Sequence, residues 1–122
     1  MMTFKVKNLK DINPSLNKFV QYMQSLGLCE DDVFYGRLVG CELLTNVVRH
    51  CGVEAGFCAS LKDGQMVISV SSGSDKRYKL CPDLPDALSE SGRGLYIVNC
   101  VCNGEVAFSG DKVVAKLTVH LQ

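Results

Sequence analysis

The chain has 122 residues, which is the length of one domain and is enough to bury an ordinary hydrophobic core. Its 13 lysines and arginines balance its 13 aspartates and glutamates, so it lacks the basic excess of a dedicated nucleic-acid binder. It is too apolar for a disordered chain, and no apolar run approaches the roughly 20 residues of a membrane span. Because the first residues alternate and contain lysines, they do not resemble a signal peptide. We therefore expect one cytoplasmic α/β domain over residues 1–122.

The N-terminal half predicts a short strand followed by two helices. Residues 4–6 alternate as a strand does. Asn13-Pro14 predicts an N-cap and the first position of a helix, which Gly27 would end. The acidic residues 30–32 open a second helix, which runs to Arg49 or His50.

Alternating segments follow and predict an antiparallel sheet. Residues 57–62 and 66–70 are separated by Asp63-Gly64, which is a two-residue hairpin signal. The last strand, over residues 113–121, has the clearest alternation of apolar and polar positions. This pattern is typical of a sheet with one covered and one wetter face.

A long polar segment, residues 72–91, lies between the hairpin and the last helix. It contains serines, aspartates, lysines and two prolines, and it has no strong period. A loop of this length in a compact domain is usually functional or mobile. Gly92-Arg93-Gly94 then leads into an apolar helix over residues 95–101.

The second helix has an unusual polar stripe. Glu42, Asn46 and His50 advance by about 40° per step along one face, and Arg49 lies about 20° to the other side of Glu42. The apolar cluster is predicted on the opposite side and comprises Val33, Phe34, Cys41, Leu44 and Val48. An ordinary solvated helix face is the alternative, but a carboxylate, an amide and an imidazole are not its usual side chains.

The glycine segment is the second candidate binding feature. Gly92 and Gly94 would let the backbone bend and approach a ligand closely. The free N–H groups at the start of the following helix favour an anion. A flexible entry to the helix is the alternative.

The order of these motifs carries a resemblance to a known family. Residues 42–50 (E-x-x-x-N-x-x-x-H) resemble the N box of the GHKL ATPase superfamily, and residues 88–98 resemble its second glycine box. In its small size and in the motif S-G-R-G-L, the chain is most similar to bacterial anti-sigma factors of the serine-protein-kinase type. The resemblance implies a Bergerat-type, two-layer α/β sandwich whose helices cover one face of a mixed, largely antiparallel sheet.

The resemblance also implies roles for particular residues. ATP would lie between the second helix and the long loop, which would act as a lid. Asn46 would hold Mg²⁺, and Glu42 would be the general base that accepts the proton of a protein serine. The backbone of the segment Gly92, Arg93, Gly94 and Leu95 would bind the phosphates. His50 matches a common family position but is assigned no chemistry.

The first glycine box departs from the family pattern. In the family an aspartate after the second hairpin strand accepts the adenine amino group, and a glycine follows two residues later. With the apolar positions aligned, Ser72 takes the aspartate place and Ser74 the glycine place; with Gly73 kept as the glycine, Ser71 takes the aspartate place. Either register replaces a charge-assisted hydrogen bond with a weaker neutral one.

Two functions follow from the resemblance, and both act through protein partners rather than DNA or membranes. The first is an ATP-dependent kinase that phosphorylates a serine of an anti-anti-sigma protein. The second is a kinase-like module that sequesters a sigma factor, with weak or absent nucleotide binding. Homodimers are common in the family, but no residue here points to an interface. A histidine-kinase fragment is disfavoured because no dimerisation helix with a phospho-acceptor histidine precedes the domain.

The seven cysteines suggest a third class of function. Their number is odd and no CxxC pair occurs, which argues against a closed disulfide framework and a zinc site. Most lie in apolar stretches, so we expect reduced core thiols, with a stand-alone metal or redox protein as the alternative.

Overall fold

The computed structural model describes residues 1–51, 54–72, 90–109 and 112–120, with the backbone alone at residues 50–51 and 90–95. Five strands and three α-helices follow one another along these ranges. In chain order they are β1 (Met2–Val6), α1 (Ile12–Ser25), α2 (Glu30–Cys51), β2 (Ala55–Lys62), β3 (Gln65–Ser71), α3 (Glu90–Val101), β4 (Val106–Ser109) and β5 (Lys112–Thr118). A short 3-10 turn, Leu9–Asp11, precedes α1.

The strands form one sheet in the order β1-β2-β3-β5-β4, and each described pairing is antiparallel. The α/β class and the antiparallel pairing were predicted; a parallel pair, which a mixed sheet requires, does not occur among the described strands. Register places Phe57, Val70 and Val113 side by side, and all three are buried. Their neighbours in each strand are more exposed, so one face of the sheet is the covered face.

The ends of α1 were predicted with mixed success. The helix begins at Ile12, before Asn13, so the prediction of Asn13 as the N-cap is wrong. The Asn13 side chain instead accepts a hydrogen bond from Arg37, with Oδ1 and Nη2 3.2 Å apart. Gly27 follows the helix with φ +82°, and its N–H donates to the carbonyl of Gln24. Together with a bond from Leu28 N–H to the Met23 carbonyl, this is a Schellman ending that favours glycine.

The predicted hairpin between β2 and β3 is confirmed. Asp63 and Gly64 form its two-residue loop and both have positive φ, at 52° and 77°. Positive φ at both positions is the requirement of a type I′ turn, whose twist matches that of the flanking strands. The loop therefore fixes the register of the pair, in which Lys62 lies opposite Gln65.

Helix α2 is the central helix of the fold. It packs against α1, against α3 and against strands β2, β3 and β5. Gly40 permits the close approach: a Cβ added there would lie 3.0 Å from Leu16 Cδ2 and 3.3 Å from Phe57 Cε2. Glycine in a helix interior costs about 1 kcal/mol relative to alanine, and the packing of α2 offsets this.

The last helix starts earlier than predicted. The structure begins α3 at Glu90, whereas the sequence placed a glycine turn before a helix over residues 95–101. Gly92 and Gly94 therefore belong to the first two turns of α3.

No helix in the described ranges is long and apolar enough to cross a membrane.

Candidate functional site

The buried side of α2 is broader than the sequence pattern indicated. Phe34, which was placed in the apolar cluster, is 62% exposed, and Cys41 is only half-buried. Leu43 and Val47, which were not in that cluster, are completely buried. The reason is that α2 contacts two helices and the sheet at once, so its covered arc is wider and rotated toward Leu43. The prediction that the whole polar stripe faces away from the core is wrong as a result.

The burial of Asn46 is the clearest consequence of this wider and rotated covered arc. Its side chain is 7% exposed, and its Nδ2 atom is buried without a hydrogen-bond partner among the described residues. Leaving a buried amide donor unpaired costs about 1–3 kcal/mol, so such groups are rare in folded proteins. A ligand that brings an acceptor to Nδ2 would remove this cost.

Glu42 lies one helical turn before Asn46 and about 40° around the helix from it. Its side chain is half-buried, and this burial raises the pKa of the carboxyl above its ordinary value of 4.5. The positive charge of Arg49 acts in the opposite direction and lowers that pKa in part. A carboxylate with a raised pKa is a better proton acceptor, because the best catalytic bases have pKa values near the working pH.

The two serines proposed for the adenine-recognition position lie in different surroundings. Ser71 pairs with Gly56 and Lys112, and its side chain lines a groove of about 320 Å³ on the more exposed face of the sheet. Ser72 follows the end of β3 and is completely buried. Of the two serines, only Ser72 is therefore on the interior side of the sheet.

The segment predicted to bind phosphates falls in α3. Residues Gly92, Arg93, Gly94 and Leu95 lie in the first two turns of the helix, where they were predicted to precede or begin it. The first N–H groups of any helix have no intrahelical partner and carry a partial positive charge. With α3 beginning at Glu90, the free N–H groups are those of residues 90–93, so the expectation that Gly94 and Leu95 offer free N–H groups to an anion is wrong. Of the predicted lid, residues 72–91, Ser74 and the rest of residues 73–89 lie outside the described residues, and residues 90–91 belong to α3 instead of a loop.

The structure brings together the elements that hold the predicted site residues. Glu42 and Asn46 share α2, and α3 packs directly against that helix. Strand β3, whose end leads into Ser72, also packs against α2. The polar stripe of α2 and the glycine segment, about 50 residues apart in sequence, thus lie on neighbouring helices.

The described cysteines are free thiols, and only part of the core-thiol prediction is confirmed. Cys102 is buried and Cys100 is exposed, while Cys29, Cys41 and Cys58 are half-buried. Burial, with a smaller effect of the Glu105 charge, raises the pKa of the Cys102 thiol to about 11, so it stays neutral at pH 7. No group of three or more His, Cys, Asp or Glu side chains suited to a metal occurs in the part of the chain that the structure describes.

Sequence reasoning missed a basic groove beside the C-terminal end of α2. Lys7 and Lys10, two exposed residues between β1 and α1, line it together with Arg49. Nothing in the local pattern signals that these three side chains meet, because they come from two distant segments. The same holds for the contact between Asp32 and His120, which are 88 residues apart.

No protein-family model matches the sequence, and no curated protein matches it either.

Proposed function

We propose that the chain is a regulatory protein with an ATP-binding serine-protein kinase fold, resembling anti-sigma factors of the GHKL superfamily. The observation that carries the proposal is the pair on α2: a buried, unpartnered Asn46 amide one turn from a half-buried Glu42 carboxyl with a raised pKa. A solvated helix face would have neither a buried amide nor a desolvated carboxyl. These are properties of a site arranged to receive a ligand.

The architecture supports the finer fold assignment as part of the proposal. One face of the sheet is covered, α2 packs on its central strands, and α1 and α3 flank α2. This arrangement fits a two-layer α/β sandwich of the Bergerat type, with helices on one face. ATP would then lie between α2 and the long segment that connects β3 to α3.

The residues present suit Mg²⁺ and ATP in their chemistry. The Asn46 amide offers a neutral oxygen, a ligand type that Mg²⁺ accepts, and its unpaired Nδ2 can donate to a phosphate oxygen. Bound Mg²⁺ would neutralise phosphate charge, which is most of what phosphoryl transfer requires. The backbone N–H groups at the start of α3 would hold the phosphates.

Glu42 would then serve as the general base. Its carboxylate takes the proton of a serine hydroxyl, the serine oxygen bonds to the γ-phosphorus, and ADP leaves with the bridging oxygen. A positioned base of this kind contributes about 10²–10⁴-fold to the rate. The partner in this proposal is an anti-anti-sigma protein or a sigma factor in the cytoplasm, and the chain acts as a monomer or homodimer.

Thermal unfolding with Mg-ATP and with Mg-GTP tests nucleotide binding directly. A ligand at a hundred times its dissociation constant stabilises the folded state by about 2.7 kcal/mol. We expect an ATP-selective rise in the melting temperature and loss of phosphoryl transfer in Glu42→Ala. The absence of any shift at millimolar Mg-ATP would rule out the kinase.

A second candidate is a kinase-like module that binds its partner with weak or no nucleotide binding. The observation that favours it is Ser72, which is completely buried and already has an interaction partner within the protein. A serine in this state is a poor substitute for an adenine-binding aspartate. Tight Mg-ATP binding by the wild-type chain would rule this candidate out.

A further inference from the structure

We propose that the basic groove beside the end of α2 docks an acidic, serine-containing segment of the protein partner. The groove has a volume of about 580 Å³. Its described lining comes from the connection between β1 and α1 and from the last turns of α2, and includes Lys7, Asn8, Leu9, Lys10, Val48 and Arg49. The docking step is independent of nucleotide; only the transfer that follows it rests on the proposed kinase function.

The charges of the groove favour an anionic occupant. Three of its described lining residues are cationic and none is acidic. Lys7 and Lys10 are exposed, and within the described ranges neither side chain forms an ion pair. The chain as a whole is neutral, so this positive cluster is a local concentration of charge.

The apolar surface of the groove favours a peptide over a simple anion or a nucleic acid. Leu9 is 51% exposed and lines the groove between the two lysines in sequence, and the largely buried Val48 also lines it. An inorganic phosphate or a sugar-phosphate backbone would leave this surface uncovered. A segment that carries carboxylates and one apolar side chain would match both parts of the groove.

The connection that holds the lysines is locally fixed. The Asn8 side chain caps the turn after β1, with its Oδ1 accepting a hydrogen bond from the Lys10 N–H at 3.0 Å. The Asp11 N–H donates to the Asn8 carbonyl at 3.1 Å. Because the backbone between the two lysines is ordered before binding, a partner does not have to order it.

The groove and the proposed catalytic carboxyl are connected by one face of α2. Arg49 lines the groove, and it lies seven residues after Glu42, about 10 Å along the helix axis and about 20° around it. A segment of four or five extended residues that starts in the groove is long enough to reach Glu42. Its serine hydroxyl would give its proton to that carboxylate as its oxygen bonds to the γ-phosphorus of ATP and ADP departs.

Fluorescence anisotropy without nucleotide tests the docking step. The probe is a short labelled peptide of aspartate, glutamate, leucine and one serine, titrated with the full chain. We expect the double variant Lys7→Glu/Lys10→Glu to bind about tenfold more weakly or worse, and added salt to weaken wild-type binding. Lys18→Glu, an exposed lysine on α1 outside the groove, is the matched control and should bind as wild type does.

Leu9→Ser tests the apolar part of the groove. It should weaken binding of the labelled peptide relative to wild type without changing any charge. Equal peptide affinity in wild type and the double variant would overturn the proposal, and so would tighter binding of a single-stranded oligonucleotide than of the peptide. If Mg-ATP fails to bind but the peptide binds, docking stands and the kinase falls. If Mg-ATP binds and the peptide does not, the docking proposal alone fails.

Discussion

Asp32, in the first turn of α2, accepts a hydrogen bond from the backbone N–H of His120, which follows β5. The His120 ring nitrogen Nδ1 lies 3.3 Å from the same carboxylate oxygen, and the His120 carbonyl accepts from the Cys29 N–H at 3.2 Å. Asp32 is only 6% exposed, whereas the His120 side chain is largely exposed. The buried carboxylate thus joins the start of the central helix to the end of the sheet.

Replacing Asp32 with alanine should destabilise the protein by about 1–3 kcal/mol, because it leaves the His120 N–H without its acceptor. Urea unfolding followed by circular dichroism measures the change. Asp31→Ala is the matched control, since Asp31 is exposed in the same helical turn and should change stability by less than about 0.5 kcal/mol. Equal effects of the two substitutions would show that helix-end charge, rather than the hydrogen bond, is what matters.

Glu42→Gln should slow phosphoryl transfer strongly while making the ligand-free protein more stable at neutral pH. Burial raises the folded-state pKa of Glu42 above 4.5, so the folded state binds this proton more tightly than the unfolded state. Stability from this group is therefore present below the unfolded pKa, falls as pH rises toward the folded pKa, and stays reduced above it. Glutamine removes that cost but cannot accept the serine proton, which lowers the rate by about 10²–10⁴-fold.

Unfolding measured across pH 4 to 8 checks the sign of the Glu42 effect. The stability difference between Glu42→Gln and wild type should shrink as the pH approaches 4.5 from above. Glu54→Gln is a suitable control, because Glu54 forms an exposed ion pair with Lys5 and is not on α2. A lower stability of Glu42→Gln at neutral pH would contradict the prediction.

Asn46→Leu should likewise separate stability from function. Leucine has a similar size and no unpaired donor, so the ligand-free protein should gain about 1–3 kcal/mol in the free energy of unfolding. The rise in melting temperature caused by Mg-ATP should disappear, because the variant can neither bind Mg²⁺ nor donate to a phosphate. Asn99→Leu, at an exposed position on α3, should change neither quantity appreciably. A destabilised Asn46→Leu would show that the amide already has a structural partner.

Much of the fold could be predicted from local sequence patterns, whereas most of the candidate site depends on tertiary packing and could not. Asp63-Gly64 and Gly27 were predictable because their backbone conformations require residues of their type. Asn13 was wrongly predicted as the N-cap because the 3-10 turn leads directly into α1 at Ile12, one residue earlier. The Asn13 side chain accepts a hydrogen bond from Arg37 instead. The burial of Asn46 depends on how α2 packs among two helices and the sheet, which helical periodicity on one element does not contain.

The final prediction concerns the adenine-recognition position. Ser72→Asp should restore the carboxylate of the family pattern and strengthen Mg-ATP binding by about 10–100-fold, the equivalent of one hydrogen bond to a charged group at about 1.5–3 kcal/mol. Since Ser72 is completely buried, the ligand-free variant should be less stable than wild type, and ATP should recover that loss. Isothermal titration with Mg-ATP and Mg-GTP measures the gain and its selectivity for adenine.

Ser71→Asp is the matched control for this test. It introduces the same charge one residue earlier, on the sheet face that carries Thr3, Gly56 and Lys112, away from the covered side. We expect no gain in nucleotide affinity from it and little change in stability. A gain from Ser71→Asp with none from Ser72→Asp would show that Ser71, with Gly73 as the glycine, takes the aspartate place. If neither substitution improves ATP binding, the cleft does not recognise adenine through this strand, and the module that binds its partner without nucleotide becomes the better account of the chain.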